Sequence, residues 1–135
     1  EADGILFGSP VHFAGMSAAM KAFLDRATYV CGNNGGLLRN KVAAAVTAVR
    51  RSGGIPAVDG MNHYITYSEM LMPTSNYWNV IHGSKPGEAQ QDLEGQQIMR
   101  LLGKNMAWVM KSLEYARAAV PAPKAERKEM TVFHR

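Results

Sequence analysis

The chain has 135 residues, 47% of them hydrophobic and 19% charged, with a formal net charge of +4; that is one globular domain, not a disordered chain, a fibrous repeat or a membrane-spanning helix. Fifteen Lys and Arg against eleven Asp and Glu suit an anionic small ligand but lack the basic stripe that nucleic acid needs. Cys31 is the one cysteine, which excludes an internal disulfide framework and any iron–sulfur or zinc–thiolate site built from this chain alone.

No charged-then-apolar leader precedes the first core-like run, so a reducing cytoplasm is the expected setting. That run begins almost at Glu1, and a further segment upstream is expected. Gly4-Ile5-Leu6-Phe7-Gly8 reads as a buried strand stopped by Ser9-Pro10. From Met16 the period changes: Met16, Met20, Phe23, Leu24 and Ala27 recur at three and four, predicting a helix from Met16 to Val30 with Ser17 as N-cap. Gly32 to Gly36 breaks it. Lys41 to Val49 is nearly all apolar and β-branched at Val42, Val46, Thr47 and Val49, a strand covered on both faces.

Arg50 to Gly60 reads as a loop, followed by a helix whose inward face carries Met61, Tyr64, Ile65, Ser68, Leu71 and Met72 and which ends at Pro73. Tyr77 to Ile81 is the third strand. After a polar loop from His82 to Gln91, the longest helix runs from Asp92 to Ala119 with Ile98, Leu101, Leu102, Asn105, Val109, Leu113 and Ala116 inward. Residues 1–119 form the domain and 120–135 a basic C-terminal tail.

Strands alternating with helices predict parallel βαβ units with helices on both faces of the sheet. The first strand needs a neighbour on its open side, because unpaired backbone on a flat apolar edge invites aggregation. Ligands of open parallel sheets bind outside the carboxyl ends of the strands. Three loops fall there: Ser9 to Gly15, Arg50 to Gly54, and His82 to Gly87. Their glycines admit backbone amides close to a ring or an anion, His12 and Phe13 can wall in an aromatic ligand, Met16 can touch it, and Arg50 and Arg51 can face anionic groups.

Duller readings stand beside these. Ser9-Pro10 alone would only end a strand, and Arg50-Arg51 would be a solvated pair. His12, His63, His82 and His134 lack metal-ligand spacing, so no metal site is expected. Cys31 has no placed histidine partner, and no Ser-His-Asp order or glycine–serine elbow argues for a hydrolase.

Asp3 to Phe13, followed by Met16-Ser17-Ala18-Ala19-Met20-Lys21-Ala22-Phe23-Leu24-Asp25-Arg26, resembles the flavodoxin-like NAD(P)H-dependent FMN reductases, in the branch that contains the iron–sulfur flavoproteins. The Arg50-Arg51-Ser52-Gly53-Gly54 loop and the Gly87 to Gly103 stretch agree with it. The resemblance implies a doubly wound parallel sheet in three α/β/α layers, here without its first βαβ part, and FMN as cofactor with NADH or NADPH as co-substrate. It implies that the loop of Ser9, Pro10, Val11, His12 and Phe13 and the glycine-rich loop of Ser52, Gly53 and Gly54 hold the isoalloxazine ring, with Met16, Arg50 and Arg51 beside them as further candidate contacts. No side chain is expected to act as acid or base.

The family's Ser/Gly/Thr-rich phosphate loop and the cluster cysteines are not in this sequence, and His12 stands where the family usually has another aromatic. The implied activity passes electrons through flavin to a small-molecule acceptor such as a quinone, a nitro or azo compound or free flavin. The alternatives are an electron carrier without nicotinamide turnover and a non-catalytic interaction subunit. A homodimer or homotetramer is expected, and neither nucleic acid nor membrane as partner.

Overall fold

A computed structural model describes residues 2–131 and 133; His134 and the end of the basic tail lie outside the described residues. The sheet has the order β2-β1-β3-β4, built from β1 (Gly4–His12), β2 (Gly15–Met16), β3 (Val42–Val49) and β4 (Val80–His82). β1, β3 and β4 are parallel and β2 is antiparallel to β1.

β1 does not stop at Ser9-Pro10, as the sequence suggested, but runs through it to His12. The Val42 amide donates to the Asp3 carbonyl at 3.1 Å. Alternation along a parallel ladder then points Ile5, Phe7 and Ser9 at β3, and Pro10 at the open edge, where its missing N–H costs no ladder bond. The chain then reverses through Phe13 and Ala14 into β2, pairing Val11 with Met16 and His12 with Gly15. Among the described residues the rest of the outer edge of β1 has no strand partner.

α1 (Ala18–Asn33) has Ser17 as its N-cap, the hydroxyl accepting from the Met20 amide at 3.2 Å. Leu24 and Thr28 are its buried residues, whereas Phe23 is 56% exposed, against the inward stripe expected of it. One residue back from Leu24 is a turn of about 100°, enough to swing Phe23 off the sheet. The helix passes through Gly32 and is followed by Gly35 and Gly36 at positive φ.

α2 (Gly54–Tyr67) begins seven positions before the expected Met61. Pro56 sits in its first turn, where a helix has no intrahelical use for an N–H, so the proline starts the helix instead of forbidding it. The helix also ends early. Leu71 and Met72 leave it, and Leu71 pairs with the sheet beside Val42. Tyr77 and Trp78 lie outside β4, which is shorter than expected.

α1 and α2 cover one face of the sheet: Leu24, Met61 and Ile65 pack with Phe7, Ala43, Ala45 and Val49. α3 (Leu93–Ala116) covers the other, where Leu102 and Met106 meet Val42 and Ala44. The small side chains of Val42–Ala45, all at most 1% exposed, let helices approach from both faces. The buried residues of α3 are Gly95, Ile98, Leu102 and Met106; Leu113, expected inward, is 41% exposed. Asn105 instead reaches the Thr74 carbonyl at 2.6 Å. Past α3 the chain folds back: Arg39 pairs with Glu69 at 2.7 Å and donates to the carbonyls of Pro123 and Lys124. Among the described residues no helix is long and apolar enough to cross a membrane.

Candidate functional site

Three parallel strands end on one rim, at His12, Val49 and His82, and the segments leaving them form the candidate site. Phe13 (φ 48°) and Ala14 (φ 59°) both sit in the left-handed region. That is the geometry of a type I′ turn, which ordinarily takes Gly or Asn and costs about 1–2 kcal/mol per residue otherwise. Such strain persists only where the surroundings impose it, and here it holds Phe13 fully exposed at the tip.

Ser9 anchors the hairpin from beneath. Its buried hydroxyl accepts from the Ser17 amide at 2.9 Å and donates to the Pro10 carbonyl at 2.8 Å, so the side chain serves the turn and not the open rim. Ser9→Ala is expected to cost about 1–3 kcal/mol, the price of an orphaned amide, with a lower midpoint in urea unfolding. An unchanged midpoint would show that water replaces the hydroxyl.

The loop after β3 meets the hairpin directly. A Cβ built on Gly53 would lie 2.7 Å from Ala14 Cα and 3.1 Å from Val11 Cγ1. Gly53 has φ 89° and is the N-cap of α2, with no side chain capping the first turn. The expected site residues therefore converge on one rim, but they do not share one hollow. Arg51, Ser52, Gly53 and Gly54 line a cavity of 320 Å³ toward β4 and α3. His12, Phe13 and Met16 line a separate, shallower groove with Lys21. Pro56 belongs to both, while Ser9, Pro10, Val11 and Arg50 line neither. In the groove Lys21 is already paired: both Asp25 oxygens accept from it, at 2.7 and 2.8 Å, and the Tyr64 hydroxyl also donates to Asp25. These bonds hold the Lys21 pKa above its ordinary value and that of Asp25 below.

Sequence reasoning brought the loop starting at His82 to this rim but missed the rest of the cavity's other wall, Tyr77, Trp78 and Asp92. Asp92 is legible in hindsight as an N-cap before an apolar periodic run; Tyr77 and Trp78, aromatic and beside a strand, carry no such signal. The Asp92 carboxylate accepts from the Gly95 amide at 2.9 Å and the His82 amide at 2.7 Å, and His82 Nδ1 lies 3.5 Å away. Hydrogen bonds from Gly95 and then His82 hold the Asp92 pKa below the usual carboxylate value.

A depressed folded-state pKa means that this contribution to stability is complete above the unfolded carboxylate's pKa, near 4, and is lost as pH falls through the folded value. Asp92→Ala is expected to cost about 1 kcal/mol at neutral pH and to make acid unfolding less steep than in the parent below pH 4. Parallel acid titrations followed by circular dichroism would detect this, and superimposable curves would contradict it.

A family model described as NADPH-dependent FMN reductase matches residues 1–85. The chain belongs to that family. An iron-sulfur flavoprotein of Methanocaldococcus jannaschii is 36% identical over 121 residues, an overlap of 84% of this chain and 62% of the relative. The chain thus spans about three-fifths of that relative's length. Among solved structures, a flavodoxin from the domain Archaea superposes with a TM-score of 0.58 at 21% identity, over 82% of this chain and 66% of that one. A flavodoxin, WrbA-like protein from Agrobacterium tumefaciens gives a TM-score of 0.57 at 17% identity, over 77% and 68%. The fold is flavodoxin-like α/β, as the family resemblance implied.

Proposed function

We propose that this chain carries the flavin-ring half of an FMN-dependent oxidoreductase, with the ring held on the surface that the Val11–Met16 hairpin and the Arg50–Gly54 loop form together. The observation that carries the reading is the direct contact of hairpin and loop at Ala14 and Gly53, which makes the two segments one surface. Family membership supports FMN as the cofactor.

The residues fit a flat ring. Gly53 brings backbone close without a side chain, α2 begins with no side chain on its first-turn amides, and Phe13 is presented outward by a strained turn. They do not supply a phosphate cradle, since no glycine-rich loop of that spacing occurs in the sequence. Bound FMN would supply hydride acceptance from NADH or NADPH and onward electron transfer to a quinone, a nitro or azo compound or free flavin. The protein's share is to orient and to bias. The free amides at the start of α2, with Arg51 beside them, stabilise negative charge at a ring edge, and Phe13 and His12 shield the hairpin side from water. No side chain is required to move a proton. The protein acts on a diffusible acceptor, as a homodimer or homotetramer, in the cytoplasm.

Titration of the intact protein with FMN, followed by NADPH oxidation under steady state, tests this. The expected result is a perturbed flavin absorbance spectrum with saturable binding, together with NADPH turnover. His12→Ala combined with Gly53→Val is expected to weaken FMN binding at least tenfold; unchanged affinity would remove these loops from the flavin site. Flavin binding without any nicotinamide oxidation would favour an electron carrier.

A further inference from the structure

We propose that residues 121–128 are a strap, fastened by Arg39, that joins the two helical layers at the end of the sheet where the strands begin and closes the approach to the Cys31 thiol. That end lies opposite the candidate flavin surface, so the proposal goes beyond the flavin reading and does not depend on it.

The clamp is built from one guanidinium. Arg39 lies three positions before the first residue of β3. Its Nε donates to the Glu69 carboxylate at 2.7 Å, its Nη1 to the Pro123 carbonyl at 2.8 Å and its Nη2 to the Lys124 carbonyl at 3.2 Å. A planar fork meets three acceptors at once, which a lysine ammonium on its flexible stem does not reproduce. The Arg39 side chain is only 19% exposed, low for an arginine outside helix and strand, so its hydrogen bonds go to these partners and not to water.

The segment suits the role. Pro121 and Pro123 each fix their own φ and hold the preceding residue away from the helical region, so the chain has less freedom to lose on docking. Farther along, the Lys128 ammonium sits 5.5 Å from the centroid of the Tyr67 ring, a cation–π contact at the end of α2. The chain therefore leaves α3 on one face of the sheet and is fastened to α2 on the other. Thr28, Cys31 and Leu38 line one groove together with Ala125, Glu126 and Lys128, and a reagent that attacks the half-buried Cys31 has to pass the strap.

Limited trypsin digestion of the full chain tests the fastening. Cleavage after Lys124 attacks the same carbonyl that Arg39 holds, and the protease must take that oxygen into its own donors. Arg39→Ala is expected to speed this cleavage about tenfold or more, and Arg39→Lys severalfold. Pro121→Gly combined with Pro123→Gly, which leaves Arg39 and Glu69 in place, is also expected to speed it severalfold. Cleavage after Lys104, inside α3, reports unfolding and is expected to keep the parent rate in the proline variant. Alkylation of Cys31 by iodoacetamide, followed by mass spectrometry, is expected to accelerate in step with cleavage after Lys124.

Parent protein cut after Lys124 as fast as both Arg39→Ala and the proline variant overturns the fastening. So does acceleration in the proline variant matched by equal acceleration after Lys104, because the whole fold would then be opening. Cys31 alkylation unmoved by all of these substitutions overturns the closure over the thiol.

Discussion

Gly53→Ala is expected to cost clearly more stability than Gly87→Ala, although the two glycines have nearly the same backbone, φ 89° and φ 88°. Each replacement forces an L-residue into the left-handed region, at about 1–2 kcal/mol. At Gly87 nothing lies within 4 Å of the new methyl, so strain is the whole effect. At Gly53 the methyl would fall 2.7 Å from Ala14 Cα, a backbone atom that cannot swing aside as a side chain can. Hairpin and loop must then part, at roughly another 1–3 kcal/mol.

Urea unfolding of the two variants measures the difference directly, because their strain cancels. Equal losses would mean that the hairpin yields freely and that the two loops are not one surface. The same pair tests the proposed function: FMN affinity is expected to fall at least tenfold in Gly53→Ala and to stay unchanged in Gly87→Ala.

Leu102→Ala is expected to lower stability by about 3 kcal/mol, within the usual 2–5 kcal/mol for a buried leucine. Leu102 is 1% exposed and belongs to a cluster of four buried residues with Val42, Ala44 and Met106. Two of those are short β3 side chains with little freedom to fill a void, although Met106 and the nearby Met110 can shift and recover part of it. Against a typical domain stability of about 5–15 kcal/mol, such a loss moves the unfolding midpoint far.

Phe23→Ala supplies the contrast. The helical stripe in the sequence places Phe23 inward with Leu24, but in the fold it is 56% exposed, and its loss is expected to stay within about 0.5 kcal/mol. A cost for Phe23→Ala comparable to that of Leu102→Ala would restore the inward reading. The FMN affinity of folded Leu102→Ala is expected to match the parent, since α3 contacts neither the hairpin nor the Gly53 turn through this residue.

Local chemistry was legible wherever short-range rules decide the outcome. Ser17 caps α1 through its own hydroxyl, and the apolar, β-branched run after Lys41 makes a strand buried on both faces. Three loops on one rim followed from strand direction alone. Boundaries that depend on partners were not legible. Pro10 stays in β1 because its nitrogen faces an edge without a ladder, and Pro56 opens α2 because the first turn leaves an N–H unused. Leu71 leaves the helix to pair beside Val42.

The order of apolar, glycine and capping residues by itself determined the three parallel strands of an α/β sheet and a candidate ligand rim at the ends of β1, β3 and β4, since periodicity and turn chemistry act within a few residues. Only the tertiary structure decided that Gly53 touches Ala14, that Ser9 is spent on the turn, and that Trp78 and Asp92 meet the same cavity. Those contacts join residues far apart in the chain, and their existence depends on how closely helices and strands pack, a distance that no local pattern encodes.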